Sequence, residues 1–89
     1  SKEAFYQGVG VGFAETLCRY WRRLMPPDAG QPSKYIHGLE AEWQRCRSLM
    51  IKMPKDIYPL IKKGFKEELQ SRNLNPHIVT FIKQHQNSL

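Results

Sequence analysis

Basic side chains are the residues of this sequence best placed to bind a ligand. The chain of 89 residues holds 14 lysines and arginines against 8 aspartates and glutamates, so its formal net charge is +6 and its pI is about 9.6. Most of them stand in three groups along the chain: Arg19, Arg22 and Arg23; Arg45 and Arg47; and Lys52, Lys55, Lys62, Lys63 and Lys66. Because guanidinium and ammonium groups bind phosphate oxygens, this surplus predicts an anionic partner.

Three interpretations of the charge surplus stay open at this point. The cations can form an ordinary solvated surface, contact a nucleic acid backbone, or dock an acidic protein. Backbone contacts would be independent of base sequence and sensitive to salt. Tyr20 and Trp21 lie among the arginines and could stack on bases, but helical spacing favours core or interface packing for both.

Gly8, Gly10 and Gly12 suggest a phosphate-binding loop without matching one. The dinucleotide fingerprint is G-x-G-x-x-G between a strand and a helix, and a Walker loop ends in Lys followed by Ser or Thr. Neither pattern is present, so we interpret the glycines as part of a helix. Each of them lowers the stability of that helix by about 1 kcal/mol relative to alanine. We predict that Gly8 and Gly12, one turn apart, let a neighbouring chain or domain pack closely, with Phe5 and Trp21 in the same subunit-packing surface.

No group of residues predicts an enzyme, a metal site or a cofactor. His37, His77, His85, Cys18 and Cys46 are scattered, without the short spacings that metal ligands use. We expect the cysteines to pack as small apolar residues, which favours a reducing, cytoplasmic compartment. We also expect no transmembrane helix and no secretory leader, because the chain lacks long apolar runs.

Helices must position these side chains, because apolar residues recur every three or four positions and no segment alternates as a strand does. The spacing predicts one all-α domain over residues 1–89, a compact four-helix bundle-like fold with helices at about 4–24, 34–52, 57–72 and 76–86. The predicted buried faces are Phe5, Val9, Phe13, Leu17, Tyr20 and Leu24; Ile36, Leu39, Trp43, Cys46, Met50 and Met53; Ile57, Leu60 or Ile61, Gly64 or Phe65, and Leu69; and Ile78, Val79, Phe81 and Ile82.

Polar residues at the expected helix ends predict how the helices start and stop. Ser1, Ser33, Asp56 and Asn75 are the candidate N-caps, the last of them followed by proline. Asn73 is a candidate for a left-handed C-cap. The short links predict that consecutive helices are antiparallel neighbours.

The segments FYQGVGVGFAE at 5–15 and RYWRR at 19–23, in a short, basic, helical chain, resemble the small subunit of type I CRISPR surveillance (Cascade) complexes. This resemblance implies a non-catalytic helical bundle that serves antiviral defence inside a ribonucleoprotein. Several copies of such subunits contact the RNA-containing backbone and each other, and they help to hold target DNA or the displaced strand. By charge alone, the resemblance implies a DNA-contacting role for Arg19, Arg22, Arg23, Arg45, Arg47, Lys52, Lys62, Lys63 and Lys66.

Two other classes of protein compete with this interpretation. A helical interaction module, such as an adaptor or inhibitor, would bind one protein tightly and no nucleic acid. A helix-turn-helix regulator would use the last two helices, but its recognition helix would carry only Lys83 as a firm cation, which argues against it.

Overall fold

The computed structural model describes residues 1–26, 28–30 and 32–89, and within these residues all regular structure is helical. The α-helices are α1 (Lys2–Leu24), α2 (Ile36–Ile51), α3 (Tyr58–Ser71) and α4 (Pro76–His85), with 3₁₀ turns at Pro32–Lys34 and Gln86–Ser88. The predicted all-α, four-helix fold is confirmed. Helix ends differ from the predicted bounds by one or two residues, within the usual fraying of helix termini.

Helix α1 makes its most extensive helix contact with α3 rather than with its neighbour in sequence. Two glycines allow this approach. A Cβ at Gly10 would overlap the backbone of Ile61 and Phe65, and a Cβ at Gly64 would overlap the backbone of Gln7. The two helix backbones therefore touch directly, and a side chain at either position would separate them.

Ion pairs at both ends of this contact show that α1 and α3 run parallel. Lys2 Nζ lies 3.0 Å from Asp56 Oδ2 where the contact begins. Farther along both helices, Arg72 Nη2 lies 3.5 Å from Glu15 Oε1. Helix α2 runs in the opposite direction, since Gly38 near its start lies against Leu24 at the end of α1, and Leu49 near its end shares a groove with Val9. Helices α1, α2 and α3 therefore alternate in direction, as is usual for short links.

Aromatic side chains fill the core where α2 and α4 close over the α1–α3 pair. The rings of Trp21 and Trp43 stack with centroids 6.4 Å apart, and Phe81 meets Trp21 edge-on at 5.6 Å. Phe65 lies 5.7 Å from Trp43 on the α3 side. These buried rings join all four helices and supply much of the apolar area that stabilises so small a domain.

The buried faces of α2, α3 and α4 follow the predicted spacing, but that of α1 is rotated. The residues of α1 that are buried are Gly10, Ala14, Leu17, Cys18 and Trp21. Phe5 and Tyr20, both predicted to be buried, are 66% and 42% exposed. The glycine contact with α3 sets this rotation, because it turns the Gly10 side of α1 inward and carries Trp21, instead of Tyr20, into the core.

Two of the predicted N-caps are confirmed. Ser1 Oγ accepts a hydrogen bond from the Ala4 N–H at 3.2 Å, and Asn75 Oδ1 accepts from the His77 N–H at 2.8 Å. Both satisfy an N–H that the first turn of a helix leaves without an intrahelical partner.

The other predicted caps are wrong. Helices α2 and α3 begin after Tyr35 and Ile57, without a side-chain cap, so neither Ser33 nor Asp56 caps a helix. Ser33 lies in the preceding 3₁₀ turn, and Asp56 instead holds Lys2 of α1. No residue in the described ranges has a positive φ, and α3 ends in extended backbone at Arg72, so Asn73 is not a left-handed cap.

Candidate nucleic-acid interface

The acids neutralise only a few of the cations. The ion pairs join Lys2 to Asp56 at 3.0 Å, Arg45 to Glu42 at 3.2 Å, and Arg72 to Glu68 at 2.7 Å and to Glu15 at 3.5 Å. Within the described residues, the other lysines and arginines take part in no ion pair. Of the nine predicted DNA-contacting residues, Arg45 is thus the one whose charge is already offset.

The arginine cluster, Arg19, Arg22 and Arg23, lies exposed on the last two turns of α1. Cations there also interact favourably with the negative end of the helix dipole. Arg22 borders a cleft of about 340 Å³ that Met25 and Leu74 also line. All three guanidinium groups are therefore accessible to an anion at this end of the molecule.

A second set of cations, which we call the α3 band, consists of Arg47, Lys55, Lys62 and Lys66. Arg47 Nε donates to the Ser88 carbonyl oxygen at 2.8 Å, and Lys62 Nζ donates to the Leu89 oxygen at 3.3 Å. The segment after α4 therefore brings a cation of α2 and a cation of α3 to one place.

Lys55 belongs to the α3 band because it lines a cavity with Arg47, and Lys66 belongs to it because of its spacing from Lys62 on the helix. Lys55 lines the same cavity as Arg47, and Lys66 follows Lys62 by one turn on the same side of α3. Lys63 is exposed but points about 100° away from Lys62 around the helix axis. Lys52 is exposed at the C-cap of α2.

Arg22 of the arginine cluster and Lys62 of the α3 band lie apart along the helix pair. Ile61 contacts Gly10, so the neighbouring Lys62 lies near the level of Gly10 along the parallel helix pair. Arg22 follows Gly10 by 12 residues, or about 18 Å at the rise of an α-helix. Arg19 and Lys66 lie between these two levels, so the predicted cations extend along a large part of a molecule 42 Å long.

The predicted subunit-packing surface is only partly accessible. A Cβ at Gly8 or Gly12 would have no heavy atom within 4 Å, so no helix in the described part of the chain approaches them closely. Phe5 is exposed on the same side of α1. Trp21 is fully buried, so its assignment to this surface is wrong, because its ring is already packed against Trp43.

An apolar groove adjoins the exposed glycines. It has a volume of about 420 Å³ between α1 and α2, and Val9, Phe13 and Leu49 line it beside Gly12. Leu49 is itself 40% exposed. The one charged residue of this lining is Arg45, which is paired with Glu42, so the groove offers mainly apolar contacts, in contrast to the α3 band.

The cysteines and histidines do not form a site in the described residues. Cys18 and Cys46 are free and buried, and burial raises the pKa of the Cys46 thiol to about 11. Such a thiol is a poor nucleophile, because the reactive form is the thiolate. His85 Nδ1 contacts the Phe81 carbonyl oxygen at 2.8 Å, and no three of the described His, Cys, Asp and Glu residues could share a metal ion.

In the part of the chain that the structure describes, the fold and its surface define a basic, all-α, four-helix protein with two groups of cations that take part in no ion pair. No helix in the described ranges has an apolar stretch long enough to cross a bilayer. No protein-family model matches the chain, and comparisons with curated proteins and with solved structures found no similar protein.

Sequence reasoning identified the cations but missed Tyr58 as their neighbour. Lys62 Nζ lies 5.9 Å from the centroid of the Tyr58 ring, and Tyr58 lines a cavity with Arg47 and Lys55. A tyrosine at the start of a helix carries no sequence signal for such a position. The sequence does carry one signal for this place: Lys55 extends the run of lysines into the link between α2 and α3.

Proposed function

We propose that this protein is a non-catalytic helical subunit of an RNA-guided ribonucleoprotein, similar to the small subunit of type I CRISPR surveillance complexes. It acts in the cytoplasm, packs against other protein subunits, including further copies of itself, and holds target DNA or the displaced strand through phosphate contacts. The observation that carries the proposal is the presence of two groups of cations, exposed in the arginine cluster and mostly half-buried in the α3 band, that no acid among the described residues neutralises.

The separation of the two groups suits an extended polyanion better than a small ligand. A molecule 42 Å long spans roughly 12 base pairs of a DNA duplex, at about 3.4 Å of helix axis per base pair. Arg22 and Lys62 then contact phosphates several nucleotides apart. Arg19, Arg22, Arg23, Arg47, Lys62 and Lys66 are the principal contacts, while Lys52 and Lys63 add charge to the approaching strand and Arg45 contributes least.

Salt dependence is the first test of this proposal. Fluorescence anisotropy with labelled single-stranded DNA, duplex DNA and RNA measures binding at low and physiological salt. If about four phosphates are contacted, affinity for duplex DNA falls about 100-fold between about 50 and 200 mM salt. Binding that favours one base sequence, or no binding at low salt, contradicts backbone contact.

Charge-reversed variants locate the contacts. We expect R22E/R23E to weaken binding to all sequences about equally, because the arginine cluster contacts phosphates. The matched control is K2E/R45E, which changes the net charge by the same amount but reverses two cations that are already paired with acids. Equal losses in both variants would mean that binding depends on net charge alone.

Membership of a ribonucleoprotein has its own test. Affinity capture of the tagged chain from its native cells, followed by nuclease treatment and mass spectrometry, should recover an RNA-bound complex. Protein partners recovered without any RNA contradict this part of the proposal.

A protein-interaction module without a nucleic-acid role is the second candidate, and the open side of α1 favours it. Phe5 and Leu49 are 66% and 40% exposed, and Gly8 and Gly12 leave the helix backbone between side chains accessible. This candidate predicts one tight protein partner and no retention on DNA at physiological salt. Gly12→Leu, which fills the open surface, should abolish binding of that partner.

A further inference from the structure

We propose that the cavity shared by Arg47, Lys55 and Tyr58 binds a single phosphate group. The cavity has a volume of about 260 Å³ and lies where the end of α2, the start of α3 and the segment after α4 meet. Its apolar lining comes from Ile51 and Met53. It is smaller than most pockets for drug-sized ligands, which suits one compact, charged group.

The side chains that line the cavity offer hydrogen-bond donors without a carboxylate. Arg47 uses only its Nε–H on the Ser88 carbonyl oxygen, so the two terminal nitrogens of its guanidinium group keep their donors. Lys55 takes part in no ion pair within the described ranges. Among the residues that line the cavity there is no aspartate or glutamate, so no acidic side chain of the lining offsets these two charges.

The hydroxyl group of Tyr58 provides an independent observation. This oxygen is buried and has no hydrogen-bond partner, although buried polar groups nearly always have one. Burial raises the pKa of Tyr58 above its ordinary value, while the nearby Arg47 lowers it by a smaller amount. The hydroxyl therefore stays protonated at neutral pH, and a phosphate that displaces the atoms covering this oxygen would accept its hydrogen bond.

These groups favour a phosphate over other anions. Two cations and a hydroxyl from separate elements surround the cavity, and a phosphate offers several acceptor oxygens in different directions. Lys62, which donates to the Leu89 oxygen beside the cavity, keeps further ammonium donors at its edge. The phosphate can be a free ion or a phosphodiester of nucleic acid, and only the second source rests on the proposed function.

Inorganic phosphate, titrated into the full chain at constant ionic strength, tests the cavity without nucleic acid. We expect the ¹H–¹⁵N spectrum to change at Arg47 Nε and around residues 55–58, with a Kd of about 1 mM or tighter. Tyr58→Phe should weaken binding about threefold to tenfold, and Arg47→Gln about tenfold or more, as for hydrogen bonds to a charged group. Arg45→Gln is the control, since Arg45 is paired with Glu42 elsewhere on α2.

The outcomes separate the cavity from the proposed function. Absence of phosphate binding at about 10 mM, or equal binding by wild type, Tyr58→Phe and Arg47→Gln, would overturn the phosphate site. An equal loss in Arg45→Gln would also overturn it. Tyr58→Phe leaves the ring and the contacts of Arg47 in place, so a folding defect in Arg47→Gln does not decide the result.

A second titration distinguishes the two sources of phosphate. Dimethyl phosphate, a phosphodiester probe, and inorganic phosphate are compared in the same assay, followed by a short labelled DNA strand. If both small probes bind at Tyr58 and the strand is weakened by Tyr58→Phe, the site holds a nucleic acid phosphodiester. If inorganic phosphate binds while Tyr58→Phe leaves binding of the strand unchanged, the cavity holds a free phosphate and takes no part in nucleic-acid binding.

Discussion

Glycines on two sides of α1 have opposite structural roles. Gly10 lies against the backbone of α3, where Gly64 provides the matching gap, whereas Gly8 and Gly12 face open space. All lower the intrinsic stability of the helix by similar amounts relative to alanine. Of these four glycines, only Gly10 and Gly64 let two helix backbones touch. The spacing of glycines along a helix therefore does not reveal which of them make a contact.

Among the glycine substitutions, the largest loss of stability is expected where a side chain would close that contact. A Cβ at Gly10 or Gly64 would overlap main-chain atoms that no side-chain rotation can move. We expect Gly10→Ala and Gly64→Ala each to lower the free energy of unfolding by about 3 kcal/mol, at the upper end of the cost of overpacking. Urea denaturation followed by circular dichroism measures this. Wild-type stability in either variant would mean that α1 and α3 do not touch at these glycines.

Alanine substitutions on the open side of the same helix should raise the free energy of unfolding instead of lowering it. Gly8→Ala and Gly12→Ala add a Cβ to open space, so each should raise the free energy of unfolding by about 0.5–1 kcal/mol through helix propensity. The same urea titration measures both. A loss of stability in the monomeric protein would show that the open side is covered by another part of the molecule.

Aromatic residues extend the comparison between the two sides. Phe5 is 66% exposed, so we expect Phe5→Ala to change stability by less than about 0.5 kcal/mol, as for most surface substitutions. Its matched control is Trp21→Ala, which empties the core and should cost about 3–5 kcal/mol. If Phe5→Ala is as harmful as Trp21→Ala, the rotation of α1 described above is wrong.

Sequence reasoning could predict the fold because three of the helices carry one apolar face each. In α2, the 3-4 spacing of Leu39, Trp43, Cys46 and Met50 leaves one choice of inward side, and all four are buried. Helix α1 is apolar around much of its circumference, and the spacing placed Tyr20 on the buried face with its neighbour Trp21 beside that face, whereas Trp21 is the residue in the core. The choice between them depends on Gly64, which lies 54 residues beyond Gly10 and has no local signal.

The candidate site shows the same division between local and distant information. The cations could be found by residue type, and the Arg45–Glu42 pair follows from its spacing on one helix. The meeting of Arg47 with Lys62 depends on Ser88 and Leu89, which approach only after α4 has folded back. No sequence pattern encodes that approach.

The smallest expected effect concerns the ion pair that links α1 to the start of α3. The hydrogen bond from Lys2 is the main cause that lowers the pKa of the Asp56 carboxyl. A carboxyl with a lowered pKa in the folded state adds stability above its unfolded pKa of about 3.9, and that contribution disappears as pH falls through the folded value. The side chains of Lys2 and Asp56 are 62% and 66% exposed, so solvent and salt screen this pair strongly.

We therefore expect Asp56→Asn to be slightly less stable than wild type at pH 6 and equal to it well below the folded pKa of Asp56. Urea midpoints for both proteins across this pH range give the difference, in which the titration of the other acids cancels. High salt should reduce the difference at pH 6, and Lys2→Gln should reproduce it. A difference as large as that of Gly10→Ala would show that the ion pair, rather than the glycine contact, holds α1 against α3.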